Sequence, residues 1–218
     1  MKTVKIVAAC VLAAAANCLL AYLAGDILHL PLFLDTLFTC AVAFAAGTLP
    51  GTFTAILSGA INLIVHYHPG ILWDGLFILC SIAEVLLIGG FRRIQSRRIE
   101  PPSRRHGEQG EPYSLVSTGA ALFLLYIAMC MVVSILGGII DFTITIPLET
   151  PDHALYPHTF FKLGLLRNQL PLLAADILSR IPVNIVDRFI TAFGGYGLGV
   201  LLQRTFWFRR VLGDRRSS

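Results

Sequence analysis

Charge is scarce in this chain. Asp, Glu, Lys and Arg make up 14% of 218 residues, where a soluble domain averages about 25%. Motifs for self-contained chemistry are missing too. There is no GxxxxGK[ST] to cradle a nucleotide, no HExxH for zinc and no GxSxG for a nucleophilic serine. The five cysteines, Cys10, Cys18, Cys40, Cys80 and Cys130, show no CxxC spacing and all lie in apolar runs. They read as small buried hydrophobes rather than disulfides or metal ligands. No stretch is both long and polar enough for a second globular domain. These absences exclude a soluble domain, a P-loop ATPase and the common hydrolases. The expectation is a non-enzyme without cofactor or metal.

Apolar sequence is what the chain does have. Residues are 56% hydrophobic and the mean hydropathy is +0.73. The apolar runs are continuous and of helix-spanning length, about 17–22 residues, not the ~10-residue alternating segments of a membrane barrel. The predicted class is all-α: a polytopic membrane protein, a six-transmembrane-helix bundle forming one integral membrane domain over 1–218. Expected spans are Met1 to Leu23, Asp35 to Gly47, Thr52 to Val65, Trp73 to Gly90, Ser114 to Ile140 and Arg180 to Arg204. In the first, Ala14 and Ala16 also offer a cleavage site of the A-x-A kind. A polar loop, 91–113, carries six arginines and three prolines. A second loop, 141–170, lies on the other side, and Thr159 to Ser179 reads as a surface amphipathic helix.

Orientation follows from counting Lys and Arg. Thirteen fall in the N-terminus, the arginine loop and the tail from Arg204, against three (Lys162, Arg167 and Arg180) on the opposite side. The positive-inside rule then puts both termini and the arginine loop in the cytoplasm of a cell (inner) membrane protein. The net charge of +4 is accounted for by topology and by lipid contact, not by nucleic acid.

The candidate site comes from polar residues that a hydrocarbon span carries at a cost of roughly 2.5–3.5 kcal/mol each. Arg180, Asn184 and Arg188 recur every four residues with Asp187 beside them, forming one helical stripe. Thr54, Ser58, Asn62 and His66 repeat the pattern in the third span. Asp35 and Asp74 start the second and fourth, and Glu84 sits near mid-span, where it needs a partner, a proton or water. The predicted topology gathers Asp35, Asn62, His66, Asp74, Arg180, Asn184, Asp187 and Arg188 toward the outer half of the bundle. A pocket of few polar groups in an apolar wall suits capture of a small solute, with the arginines and Asn184 facing an anionic or carbonyl-rich part of it. An internal ion pair of Asp187 with Arg188 or Arg180, closing the bundle without any ligand, is the alternative. His66 and His68 have no local carboxylate or cysteine to complete a metal set. Ala9 and Ala13 form a small-xxx-small pair suited to close helix approach.

The Ala9/Ala13 helix, LDTLFTCAVAFAAGTLPGTFTAILSGAINLI (34–64) and IPVNIVDRFITAFGGYGLGVLL (181–202) together resemble the substrate-binding S components of energy-coupling-factor transporters. The resemblance implies a six-helix protein that binds a vitamin-like micronutrient at its outer side. The loop after the first helix would act as the gate. Small residues of that helix, here Ala9 and Ala13, would dock onto a transmembrane coupling subunit driven by ATPase subunits. The long arginine loop departs from that pattern. A second class of function, an orphan sensory or scaffold protein related to sensor input modules, lacks an attached output domain.

Overall fold

A computed structural model describes residues 2–65, 74–99, 115–148 and 159–204. Among these residues the secondary structure is helical. The α-helices are α1 (Lys2–Tyr22), α2 (Leu37–Ala46), α3 (Thr48–Val65), α4 (Ile78–Ile99), α5 (Leu115–Leu148), α6 (Thr159–Arg167), α7 (Leu172–Phe189) and α8 (Gly195–Arg204). A π turn, Leu23–Ile27, ends α1. Another, Ile190–Gly194, joins α7 to α8, and a 3-10 turn, Gly75–Phe77, leads into α4.

Five helical stretches are long and apolar enough to cross a membrane: Thr3–Ile27, Thr48–Val65, Gly75–Ser96, Ser117–Ile144 and Leu172–Arg204. Their outward faces are apolar, with Leu12, Ile64 and Leu124 at 70%, 77% and 69% exposure, while Glu84, Asp176 and Asp187 are at 0%. Large aliphatic side chains outside and charges inside invert the arrangement water imposes, and they mark a membrane-embedded bundle.

Several boundaries differ from the sequence expectation. The second predicted span is only the ten-residue α2, roughly 15 Å at 1.5 Å per residue, half of a ~30 Å hydrocarbon core. Helix α4 continues to Ile99 and α5 to Leu148, so both run into segments expected as loops. The surface helix expected over 159–179 is two helices. A turn with Gln169 at φ 61° ends α6, and α7 starts at Leu172, behind Pro171. Pro182 is accommodated inside α7, where it removes one backbone hydrogen bond. His66 and Trp73, most of the arginine-rich loop (100–113) and residues 149–158 of the second loop lie outside the described residues.

The half-length α2 lies at the centre, and both of its ends are capped from other helices. A helix end leaves backbone groups unpaired, and in hydrocarbon no water serves them. At its start the Phe38 N–H donates to Asn17 Oδ1 of α1 at 2.8 Å. Asn17 Nδ2 in turn donates to Thr39 Oγ1 at 2.8 Å and to Ser58 Oγ of α3 at 3.1 Å. At its finish Arg92 of α4 donates to the Ala43 carbonyl at 3.0 Å, and Gln203 of α8 donates to the Phe44 carbonyl at 2.9 Å. Gly47 follows with φ 109°, a conformation side chains resist, which lets the chain reverse directly into α3.

Close contact around α2 depends on small residues. A Cβ at Gly199 would lie 2.7 Å from the Phe44 Cβ, and one at Gly195 would lie 2.9 Å from that of Cys40. The Gly195-x-x-x-Gly199 pair thus seats α8 on α2. Gly51 does the same for α3 against Ala43, and Gly138 for α5 against Ile177. Gly199→Leu is therefore expected to lower unfolding stability in detergent by roughly 1–3 kcal/mol. Gly197→Leu, at a glycine with nothing within 4 Å of its would-be Cβ, should be neutral. Equal thermal-unfolding midpoints for the two variants would contradict this packing.

Candidate functional site

The buried face of α7 reads Asp176, Ser179, Arg180, Val183, Asn184, Asp187 and Arg188, a helical stripe of polar residues. It carries two charged clusters, about 12 Å apart along the helix from the eight residues between Arg180 and Arg188.

Arg188 is the centre of the deeper one. Its guanidinium pairs with the Glu84 carboxylate of α4 and donates to Thr36 Oγ1 at 2.9 Å. It lies 2.5 Å from Asp187 Oδ2 and 3.8 Å from Asp35 Oδ1. Asp187 uses its other oxygen to accept the Leu34 N–H at 2.8 Å. Cys40 Sγ is 3.8 Å from Glu84 Oε2, next to the one carboxylate that enters from α4. Asp35, Thr36 and Leu34 lead into α2, whose N-terminus presents about half a positive charge to the surrounding acids.

The depth of this cluster follows from the helices. Glu84 is eight residues before Arg92 in α4, roughly 12 Å along the axis. Arg92 caps the far end of α2. Arg188 also sits midway along the Leu172–Arg204 stretch. The cluster is thus near the middle of the hydrocarbon layer. The non-helical segment 28–36 reaches down to it from an exposed start at Leu28 to buried Leu34 and Thr36. Irregular backbone at such depth persists only against protein or a watery cavity. Leu34 adopts φ 47°, a left-handed conformation of order 1–3 kcal/mol for a side-chain-bearing residue. Its bond to Asp187 helps hold it there.

The shallower cluster joins three helices. Lys162 of α6 pairs with Asp176 of α7 at 2.8 Å and lies 3.9 Å from Asp141 of α5. Arg180 pairs with Asp141 at 3.3 Å and its guanidinium carbon lies 5.0 Å from the Phe77 ring centroid, a cation–π contact. Two acids face two bases, and the set fastens the α6–α7 hairpin onto α5.

Of the residues expected at one site, Asp35, Asp187 and Arg188 come together. Arg180 belongs to the shallower cluster. Asn184 lies between them and donates to Ser134 Oγ at 2.8 Å. Asn62 is half-buried on α3 with Oδ1 unpartnered, and Asp74 is half-buried at the start of the 3-10 turn. His66 lies outside the described residues. In the third-span ladder, Thr54 bonds its own helix at the Pro50 carbonyl, 2.9 Å away, and Ser58 belongs to the Asn17 cap. The arginines do not stand ready for an anion, because carboxylates already occupy both. Ala13 is buried in the bundle beside Val42, with Ala9 half-buried at its edge. The outward stripe of α1 is instead Val4, Val7, Val11, Leu12 and Leu19.

Asn17, Thr36, Lys162 and Asp176 were missed as functional positions. A single Asn in an Ala-rich run was the available signal for Asn17. Nothing local pairs Lys162 with Asp176, because a chain reversal brings them together. Among the described residues no group of three or more His, Cys, Asp or Glu is arranged to hold a metal ion. All five cysteines are free. Comparison with protein families, with curated proteins and with solved structures finds no match for this chain.

Removing Arg188 leaves buried carboxylates without their counter-charge. Arg188→Met is expected to cost about 3–5 kcal/mol. Adding Glu84→Gln should recover part of that loss, because the two residues are in direct contact. Strictly additive losses in a thermal-unfolding double-mutant cycle would show that the Arg188–Glu84 contact does not couple them.

Proposed function

We propose that this chain binds a small extracellular solute, of the vitamin-like micronutrient kind, inside the membrane for uptake by an energy-coupling-factor type transporter. Separate transmembrane coupling and ATPase subunits supply the energy. In this reading the bundle makes six crossings of the cell (inner) membrane with both termini in the cytoplasm. Five crossings are full helices. The remaining one is composite: segment 28–36 descends from the outside, and α2 completes the passage. Loops 91–113 and 141–170 then fall on the cytoplasmic and extracytoplasmic sides.

The observation that carries the proposal is the non-helical segment 28–36, which ends on a buried charged cluster at mid-membrane depth. A segment used only for packing would sit more stably as helix, with its backbone bonds closed internally. This one instead hangs its backbone on the Asp187 carboxylate, through the Leu34 N–H. Breaking that contact and sliding the segment outward opens a route from the outer surface to Arg188, which gives it the role of a gate. The shallower cluster holds the α6–α7 hairpin beside the same route. Charged residues inside a membrane bundle commonly mark substrate paths, and interrupted helices commonly surround transporter sites. Docking onto the coupling subunit falls to the exposed face of α1 with Ala9 at its margin, and Ala13 supports that face from within.

Protein purified in mild detergent should carry a stoichiometric amount of one small molecule, detected by mass spectrometry after organic extraction. An affinity-tagged chain, isolated from its native membrane, should bring down an ATPase pair and an integral coupling protein. Preparations that hold no solute and recover no ATPase would refute the proposal.

A further inference from the structure

The Arg188 cluster is short of positive charge. Resting on the capture reading above, we infer that the solute is a small organic cation with N–H donors, its cationic group received by Asp35. Three carboxylates, Asp35, Glu84 and Asp187, surround a single guanidinium. The next cations along the stripe are engaged elsewhere, Arg180 with Asp141 and Lys162 with Asp176. The N-terminus of α2 contributes only about half a charge. A deficit therefore remains in a place where water does not screen it.

Hydrogen bonding points the same way, independently of the charge count. Asp35 Oδ1 and Asn184 Oδ1 are buried acceptors without a hydrogen-bond partner, and the Thr191 hydroxyl, which accepts or donates, is unpartnered too, against one orphaned donor in this cluster, Arg188 Nε. Asn184, Asp187 and Thr191 fall three and four residues apart and so share the face of the span that carries Arg188. Thr191 is fully buried at 0% exposure, with its hydroxyl unpartnered. Acceptors in excess call for a ligand that donates.

The geometry also favours an organic ion over a bare metal. The carboxylates are dispersed around Arg188, and among the described residues they form no metal-holding group. Asp35 is the open member, its side chain 38% exposed, while those of Glu84 and Asp187 are at 0%. Glu84 and Asp187 position Arg188, and Asp35 meets the ligand. An ammonium or amidinium group supplies both the missing charge and the missing donors.

Three probes of matched size and different charge test this on the full chain in mild detergent: benzylammonium, benzoate and benzyl alcohol, at equal concentration and ionic strength. Benzylammonium should raise the unfolding midpoint by roughly 2–4 °C, and the other two should leave it unchanged. Asp35→Asn should abolish the rise and Thr191→Val should reduce it. Gly197→Leu, at an exposed glycine with open space around it, should keep it. The inference is overturned if benzoate or benzyl alcohol stabilises as well as benzylammonium, if benzylammonium has no effect on the wild-type protein, or if its effect survives Asp35→Asn. Mass spectrometry of copurified solute separates the two levels of the argument. A stoichiometric anionic solute preserves the capture reading and removes this inference, whereas an empty preparation unmoved by all three probes removes both.

Discussion

A helix that stops half-way through a bilayer leaves peptide groups where water cannot reach them, and this bundle is arranged around that constraint. Helix α2 spans only ten residues. Its first turn depends on Asn17 and its last on Arg92 and Gln203. Each partner comes from a different helix, so α1, α4 and α8 must keep their positions for α2 to exist. The glycines at 51, 195 and 199 allow the necessary approach. A buried backbone group left unpaired costs about as much as several lost methylene contacts, so these few polar contacts rank with the apolar core in specifying the arrangement.

The short helix also creates the chemistry above it. Because α2 begins at mid-depth, the chain has to reach that depth as segment 28–36, and it brings Leu34, Asp35 and Thr36 against Arg188 and Asp187. A continuous span would have covered this place with aliphatic side chains. The result is a buried charged cluster beneath one irregular segment, whose left-handed Leu34 donates its N–H to the Asp187 carboxylate. The same segment is anchored again by Thr36, which accepts from Arg188 at 2.9 Å. The shallower Lys162–Asp176 and Arg180–Asp141 pairs are balanced in charge and join helices that follow one another closely in the chain. They fasten the hairpin, and the Arg188 cluster, with three carboxylates about one guanidinium, lies farther along α7.

Part of this was legible in the sequence. Sparse charge and long apolar runs determine a helical membrane bundle, because hydrocarbon permits few other ways to satisfy a backbone. Spacing alone put Asn184, Asp187 and Arg188 on one face, since helix periodicity is local. The expected pocket was legible only in outline. Glu84 stood out as a mid-span acid that needed a partner, yet the identity of that partner depends on how α4 and α7 pack. Apolar content also extended the second span across Asp35 and Thr36, when the chain is irregular there. Propensity does not report that a helix can begin late if another helix caps it.

By itself, then, the sequence determined the class, the placement of apolar surface toward lipid and the polar stripe of the last span. Tertiary structure alone decided that Arg188 is claimed by Glu84 and Asp187, that Arg180 belongs to a separate cluster, that Asn17 closes the start of α2, and that Asp35 is left as the open acid. The physical reason is range. Hydropathy and helical periodicity act within one segment, whereas the buried polar contacts Asn184–Ser134, Arg188–Glu84 and Leu34–Asp187 join residues 50, 104 and 153 positions apart, and only the packed bundle brings them within reach of one another.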